Sequence, residues 1–128
     1  MKLTVSPALL AVCRLDANAS VPQWPRGAFV SITRTPDELS IVCDESAVPE
    51  DVVAERGWRA LQLAGPIPFD VTGVAASLTA PLAANGISVF LISTYDTDWL
   101  LVKDAALDRA IATLVAAGFE IALPPRRD

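Results

Sequence analysis

The sequence predicts an α+β fold, and three observations carry this prediction. Apolar side chains recur at helical spacing in residues 104–117, which is typical of an amphipathic helix. Short apolar segments rich in β-branched or aromatic residues, such as 98–103, are typical of strands. Two hairpin-like segments, 31–44 and 91–104, resemble each other and indicate an internal repeat. A chain of 128 residues suits one domain, or two very small ones that share a core.

The N-terminal half is predicted to consist mostly of strands. Pro36 occupies the preferred position of a turn at residues 35–38, so the apolar segments on either side form a hairpin. Residues 16–26 are polar and contain proline, which indicates an irregular connection. The predicted elements are strands 9–15, 28–35 and 39–44 and a short helix at 49–56 that begins at Pro49.

The C-terminal half alternates strands with two helices. The predicted elements are strand 58–64, helix 74–85, strand 87–93, strand 98–103, helix 104–117 and strand 119–123. Two strand–helix–strand crossings around a central hairpin describe a ferredoxin-like sandwich (βαββαβ), in which one antiparallel sheet carries both helices on one face. The tail at 126–128 is expected to be solvated.

Both helices have an apolar stripe and a stop signal. Helix 74–85 contains Pro81, which predicts a kink. Helix 104–117 has Asp104 as its predicted N-cap and Gly118 as its stop. The stripes predicted to be buried are Val74, Leu78 and Leu82 in the first helix, and Leu107, Ile111, Leu114 and Val115 in the second.

The internal repeat predicts how the chain is divided. When residues 31–44 are placed over 91–104, apolar positions coincide and both segments end at an aspartate. We therefore predict tandem ferredoxin-like units at 1–57 and 58–128, the first of which lacks its first helix because residues 16–26 stand in its place. The coincident apolar residues are Ile32, Leu39, Ile41 and Val42 in the first segment and Ile92, Trp99, Leu101 and Val102 in the second.

The composition disfavours several classes of function. There are 15 acidic and 10 basic residues, and a net charge of −5 argues against binding nucleic acid or anionic membranes. The chain contains no histidine, which removes the Ser-His-Asp and Cys-His nucleophile systems and the commonest zinc ligand. The sequence therefore argues against an enzyme, and no metal or cofactor is expected.

The apolar residues are expected to form a core, not a membrane span. Mean hydropathy is +0.42, but no apolar run approaches the roughly 18–20 residues that a spanning helix needs. Residues 3–12 imitate a leader peptide faintly, but Pro7 interrupts them, so we expect a strand and a cytoplasmic protein. Cys13 and Cys43 lie in strand-like segments and are predicted to be reduced core thiols, with a disulfide as the alternative.

Three segments of the C-terminal half resemble an ACT domain. Residues 69–74, 81–87 and 93–98 are similar to the subclass found in CASTOR-type arginine sensors and in small bacterial tandem-ACT proteins. The hairpin at 31–44 resembles the matching segment of the first unit in those bacterial proteins. The resemblance implies a non-catalytic regulatory module that binds an amino acid where the loop before the first helix of one unit meets a neighbouring unit.

The resemblance also implies a set of ligand-binding residues. They are Asp70, Val71, Thr72, Gly73, Val74, Thr94, Tyr95, Thr97 and Asp98. Their chemistry fits an amino acid, because backbone N–H groups at the start of helix 74–85 suit a carboxylate. Asp70 and Asp98 can pair with an ammonium group or a basic side chain, and Tyr95 can close over the ligand.

Each of these residues also has a purely structural interpretation. Asp70 can be a capping residue, Gly73 can supply a positive φ, and 94–98 can be a solvated turn. The competing hypothesis for the whole chain is a protein–protein interaction module with no retained ligand site. An enzyme that uses Tyr95 with neighbouring carboxylates is a weaker third hypothesis. Because an exposed edge strand is commonly protected by pairing, we expect a homodimer with its sheets side by side.

Overall fold

The computed structural model describes residues 1–124, and these form two compact units. The first, here called the helical unit, contains Met1–Pro7 and, among the described residues, Arg59–Pro124. The second, here called the strand unit, is Ala8–Trp58. The predicted solvated tail at 126–128 lies outside the described residues.

The elements confirm the predicted α+β class. Single 3₁₀ turns at Glu45–Ala47 and Asp104–Ala106 accompany them. Within residues 1–124, no helix is long and apolar enough to cross a membrane. In chain order the elements are β1 (Lys2–Val5), β2 (Leu10–Leu15), β3 (Ser31–Arg34), β4 (Leu39–Asp44), β5 (Val53–Leu63), α1 (Val74–Ala84), β6 (Phe90–Ser93), β7 (Asp98–Lys103), α2 (Leu107–Ala116) and β8 (Glu120–Ala122).

The segment at 3–12, where a strand is expected, contains most of β1 and the start of β2, and β1 joins the sheet of the helical unit as an element that was not predicted separately. β1 pairs antiparallel with the end of β5, where Leu3 faces Leu63, and parallel with β8, where Leu3 faces Ile121. β7 pairs with β5, and β6 pairs antiparallel with β7. The sheet is therefore mixed, although an antiparallel one was expected, because β1 is the strand that contacts β8.

Both helices pack on one face of this sheet, as predicted. Alternate residues of β1, β5 and β7 point towards the helices, which is the period-two pattern of a strand with one buried face. Pro81 lies inside α1. The buried core consists of Leu3, Val5, Leu61, Leu63, Leu100 and Val102 from the strands, Val74, Leu78 and Leu82 from α1, Leu107, Ala110 and Leu114 from α2, and Ile87.

The start and the stripe of the second helix differ from the prediction. Asp104 makes no cap hydrogen bond to α2; it lies in the preceding 3₁₀ turn and pairs with Arg59 at 3.1 Å. Val115 is 54% exposed, so its predicted burial is wrong. Ala110 is fully buried instead. It lies three residues after Leu107 and four before Leu114, so all three side chains are on the same face of α2.

The strand unit is built from hairpins and contains no α-helix within Ala8–Trp58, all of which the structure describes. The predicted turn at 35–38 is confirmed, since the Thr35 amide donates to the Glu38 carbonyl at 2.9 Å. The predicted helix at 49–56 is wrong, because β5 begins at Val53 and pairs with β2. Strand pairing with residues far away in the chain outweighs the local helix signal there.

Cys13 and Cys43 are both free and buried in the core of the strand unit, as predicted. Burial raises the pKa of the Cys13 thiol to about 11 and also raises the pKa of Cys43. Both therefore stay protonated at neutral pH and pack as small apolar side chains.

Candidate functional site

A cleft of about 290 Å³ opens between two segments of the helical unit. One wall is the loop that precedes α1, and the other is the turn between β6 and β7. We call it the loop–turn cleft. It is lined by residues 67–69, 71, 73–75 and 93–98.

The structure brings most of the predicted site residues together in this cleft. Val71, Gly73, Val74, Thr94, Tyr95, Thr97 and Asp98 all line it. Thr72 instead lines a second cleft of about 380 Å³, which lies against residues 117–119. Asp70 is exposed and lines neither of the two clefts described here.

The turn between β6 and β7 is held by hydrogen bonds within it. The Thr94 amide donates to the Thr97 carbonyl at 2.8 Å, and the Thr94 hydroxyl donates to the same oxygen at 3.0 Å. Thr97 is only 6% exposed, and its hydroxyl donates to the Leu63 carbonyl at 2.8 Å. This turn is therefore anchored to the sheet, whereas a free solvated turn would make no such bond.

Asp98 lies at the start of β7, directly opposite Ser93 at the end of β6. The Ser93 hydroxyl donates to Asp98 Oδ1 at 2.6 Å, a distance typical of a hydroxyl bonded to a carboxylate. The lining residues include Asp96 as well as Asp98 and contain no lysine or arginine. The cleft is therefore a favourable place for a cationic group.

The first turn of α1 forms another part of the wall. Gly73 precedes the helix with a φ of 79°, and a Cβ there would meet nothing within 4 Å, so glycine is needed for its backbone conformation and not for space. The first amide that bonds back within the helix is that of Ser77, to the Gly73 carbonyl at 3.0 Å.

The amides of residues 74–76 therefore have no partner inside the helix. No side chain among the described residues caps α1, so the predicted capping role for Asp70 is not seen. Amides at the positive end of a helix dipole suit a carboxylate ligand.

Two aromatic rings join the walls at the rim of the cleft. Phe69 and Tyr95 are 76% and 80% exposed, and their ring centroids lie 4.9 Å apart at 85°, an edge-to-face contact. Tyr95 thus lines the cleft while most of its side chain is exposed. Phe69 was missed by the sequence prediction, although a large aromatic residue beside a proline in a loop is a usable signal.

Ser93 was also missed, and the sequence held a signal for it. In the predicted hairpin the strands end at Ser93 and Asp98, so tight pairing across the turn places the hydroxyl opposite the carboxylate. Asp96 is not among the residues predicted to bind the ligand. It lines the same cleft as Asp98.

Comparisons with known proteins agree with this architecture. A crystal structure of a protein from Agobacterium tumefaciens has a TM-score of 0.93 and 41% sequence identity, covering 99% of this chain and 96% of that one. The human protein CASTOR3P is 35% identical over 129 residues, which is 88% of this chain and 79% of that protein.

A third relative is the cytosolic arginine sensor for mTORC1 subunit 1 of Bos taurus, 36% identical over 112 residues. The match covers 79% of this chain and 34% of the sensor, so the chain spans about a third of the length of that relative. Residues 53–116 match the sequence profile of the ACT domain, and residues 9–51 match a second profile described as an N-terminal domain. This chain belongs to the ACT domain family and is related to the CASTOR-type sensors.

Proposed function

We propose that this protein is a non-catalytic regulatory module that binds an amino acid in the loop–turn cleft. The observation that carries the proposal is the pairing of two opposite electrostatic features in one small cleft. Open amides at the start of α1 lie on one side, and Asp96 and Asp98 lie on the other without a basic residue among the lining residues. An amino acid is a zwitterion and complements both features.

The proposed binding mode uses the parts of the cleft already described. The ligand α-carboxylate accepts hydrogen bonds from the amides of residues 74–76. The α-ammonium group or a basic side chain pairs with Asp98. The aliphatic part packs against Val71 and Val74, under the ring of Tyr95.

The comparisons support a regulatory function and suggest a first ligand. Two features support a protein without catalytic activity: relatives named as sensors, and the lack of histidine in the sequence, which leaves no imidazole base to activate a hydroxyl in the cleft. The name of the Bos taurus relative makes L-arginine the first amino acid to test. We also propose that the protein acts in the cytoplasm, as its cytosolic relative does.

We further propose that two copies associate side by side. β6 is paired with β7 and with no other strand among the described residues, so its other edge is a place where a strand of a second copy can pair. Ser93 at the end of β6 lines the cleft, so pairing along this edge places the ligand near the boundary between copies. The tandem arrangement of the two units belongs to the same proposal.

A thermal-shift panel of the twenty amino acids at millimolar concentration tests the binding. A ligand present at a hundredfold excess over its Kd stabilises the folded state by about 2.7 kcal/mol, so we expect a clear rise in Tm with at least one amino acid. Asp98→Asn keeps the shape of the side chain and is expected to remove most of that rise. Asp108→Asn, an exposed change on α2, serves as the matched control.

The alternative function is an interaction module without a ligand, which the exposed pair of Phe69 and Tyr95 favours, since exposed aromatic rings are common at docking surfaces. The panel separates the two hypotheses. If no amino acid raises the Tm of the wild-type protein, ligand binding is rejected and the interaction module remains.

A further inference from the structure

A buried threonine anchors the turn that forms one wall of the loop–turn cleft. The Thr97 hydroxyl donates to the carbonyl of Leu63, the last residue of β5, at 2.8 Å. A hydroxyl has one proton to donate, and this one is already used. The Thr97 side chain is therefore not a hydrogen-bond donor for a ligand, although Thr97 lines the cleft.

The same turn is fixed at a second point by the opposite wall. The Ile67 amide donates to the Asp96 carbonyl at 2.7 Å. Gly65 permits this approach, because a Cβ there would lie 2.8 Å from the Asp96 carbonyl oxygen and 2.9 Å from Cβ of Thr97. The two walls of the cleft are thus joined by the hydrogen bond between Ile67 and Asp96, and Gly65 leaves the room that this approach needs.

We propose that Thr97 is a positioning residue of the amino-acid site, with Gly65 as the residue that allows it to act. The inference rests on the function proposed above. Thr97 fixes the 94–98 turn before a ligand arrives, so that Thr94 and Asp98 need no ordering when it binds. A site ordered in advance binds more tightly, because association then loses less conformational freedom.

Amide hydrogen exchange in the unliganded protein tests the positioning directly. Thr97→Val keeps the side-chain volume and removes the hydroxyl, and we expect the Ile67 amide to exchange at least about tenfold faster. Thr97→Ser restores the hydroxyl and is expected to return the slow exchange. Thr4→Val, the same change at an exposed position on β1, is the matched control. Unchanged exchange in Thr97→Val overturns the proposal.

Calorimetric titration with L-arginine tests the consequence for the site. We expect Thr97→Val to bind about tenfold more weakly, and Thr97→Ser and Thr4→Val to bind like the wild type. Equal affinity in Thr97→Val also overturns the proposal. If Thr97→Val does not fold, as judged by far-UV circular dichroism, Gly65→Ala replaces it, since it displaces the turn while keeping the Thr97 hydroxyl.

The two measurements also separate this proposal from the function on which it rests. If the wild-type protein binds no amino acid, the proposed function fails. The exchange rate of the Ile67 amide then decides on its own whether Thr97 holds the turn.

Discussion

Asp98 illustrates how a single neighbour can orient a carboxylate. One of its oxygens accepts the Ser93 hydroxyl at 2.6 Å. That bond restricts rotation of the carboxylate and leaves its second oxygen for a cationic partner. Ser93 therefore contributes to the proposed site through Asp98, without needing a ligand contact of its own.

We expect Ser93→Ala to weaken L-arginine binding about tenfold, because the carboxylate loses a charge-assisted hydrogen bond that orients it. Ser93→Thr keeps the hydroxyl and is expected to retain most of the affinity. Ser88→Ala removes an exposed serine upstream of β6 and controls for general effects. Calorimetric titration measures all three, and equal affinity in Ser93→Ala and Ser88→Ala contradicts the role of Ser93.

The buried thiol of Cys13 predicts a loss of stability at high pH. Burial raises its pKa from 9.0 to about 11 in the folded protein, so the folded state holds the proton more tightly than the unfolded state. The protonated thiol therefore contributes its full stabilisation of the folded state below pH 9. As the pH rises from 9 through 11, the free energy of unfolding falls by about 2–3 kcal/mol in total. Urea unfolding of the wild type and of Cys13→Ala between pH 8 and about 11 measures it. Parallel pH profiles in the two proteins contradict the prediction.

At the scale of single elements, α2 tests which residues face the core. Leu114 is fully buried, whereas its neighbour Val115 is 54% exposed. We expect Leu114→Ala to lower the free energy of unfolding by about 2–5 kcal/mol through loss of apolar contacts and a residual cavity. Val115→Ala is expected to change it by about 0.5 kcal/mol or less. Equal losses in urea unfolding contradict the observed orientation of the helix.

The elements that could be predicted from the sequence are those whose signals are local. The turn at 35–38 could be predicted from the position of its proline. The predicted burial of Leu107 and Leu114 on α2 is also confirmed. The failures depend on distant partners. β1 is too short to recognise without β5 and β8, and residues 53–56 form a strand because β2 lies beside them.

The candidate site could be predicted only through the resemblance to an ACT domain. That resemblance named the loop before α1 and the 94–98 turn, and both segments line one cleft in the structure. Phe69 could be recognised only from its contact with Tyr95 on the other segment. Ser93 could be recognised only from the register of the hairpin, which places it opposite Asp98. The role of Thr97 could not be foreseen, because it depends on the carbonyl at the end of β5.

For the whole molecule, the proposed association along β6 predicts a mass of twice 13.5 kDa in light scattering. Ile92→Lys places a charge on β6 and is expected to shift the protein towards the monomer, because charged side chains discourage edge pairing. Ile32→Lys makes the same change on β3, in the strand unit, and is the control. A wild-type mass of 13.5 kDa at every concentration rules out the dimer.

The position of β1 in the sheet has a consequence for how the chain is made. Leu3 lies opposite both Leu63 and Ile121, so its partners leave the ribosome long after it does. The β3–β4 hairpin, in contrast, joins residues that are close in sequence and can form early. During synthesis the strand unit can therefore assemble first, while β1 remains unpaired. The sheet of the helical unit closes only when β8 has emerged, so protection of the apolar residues of β1 by a chaperone would matter most in that interval.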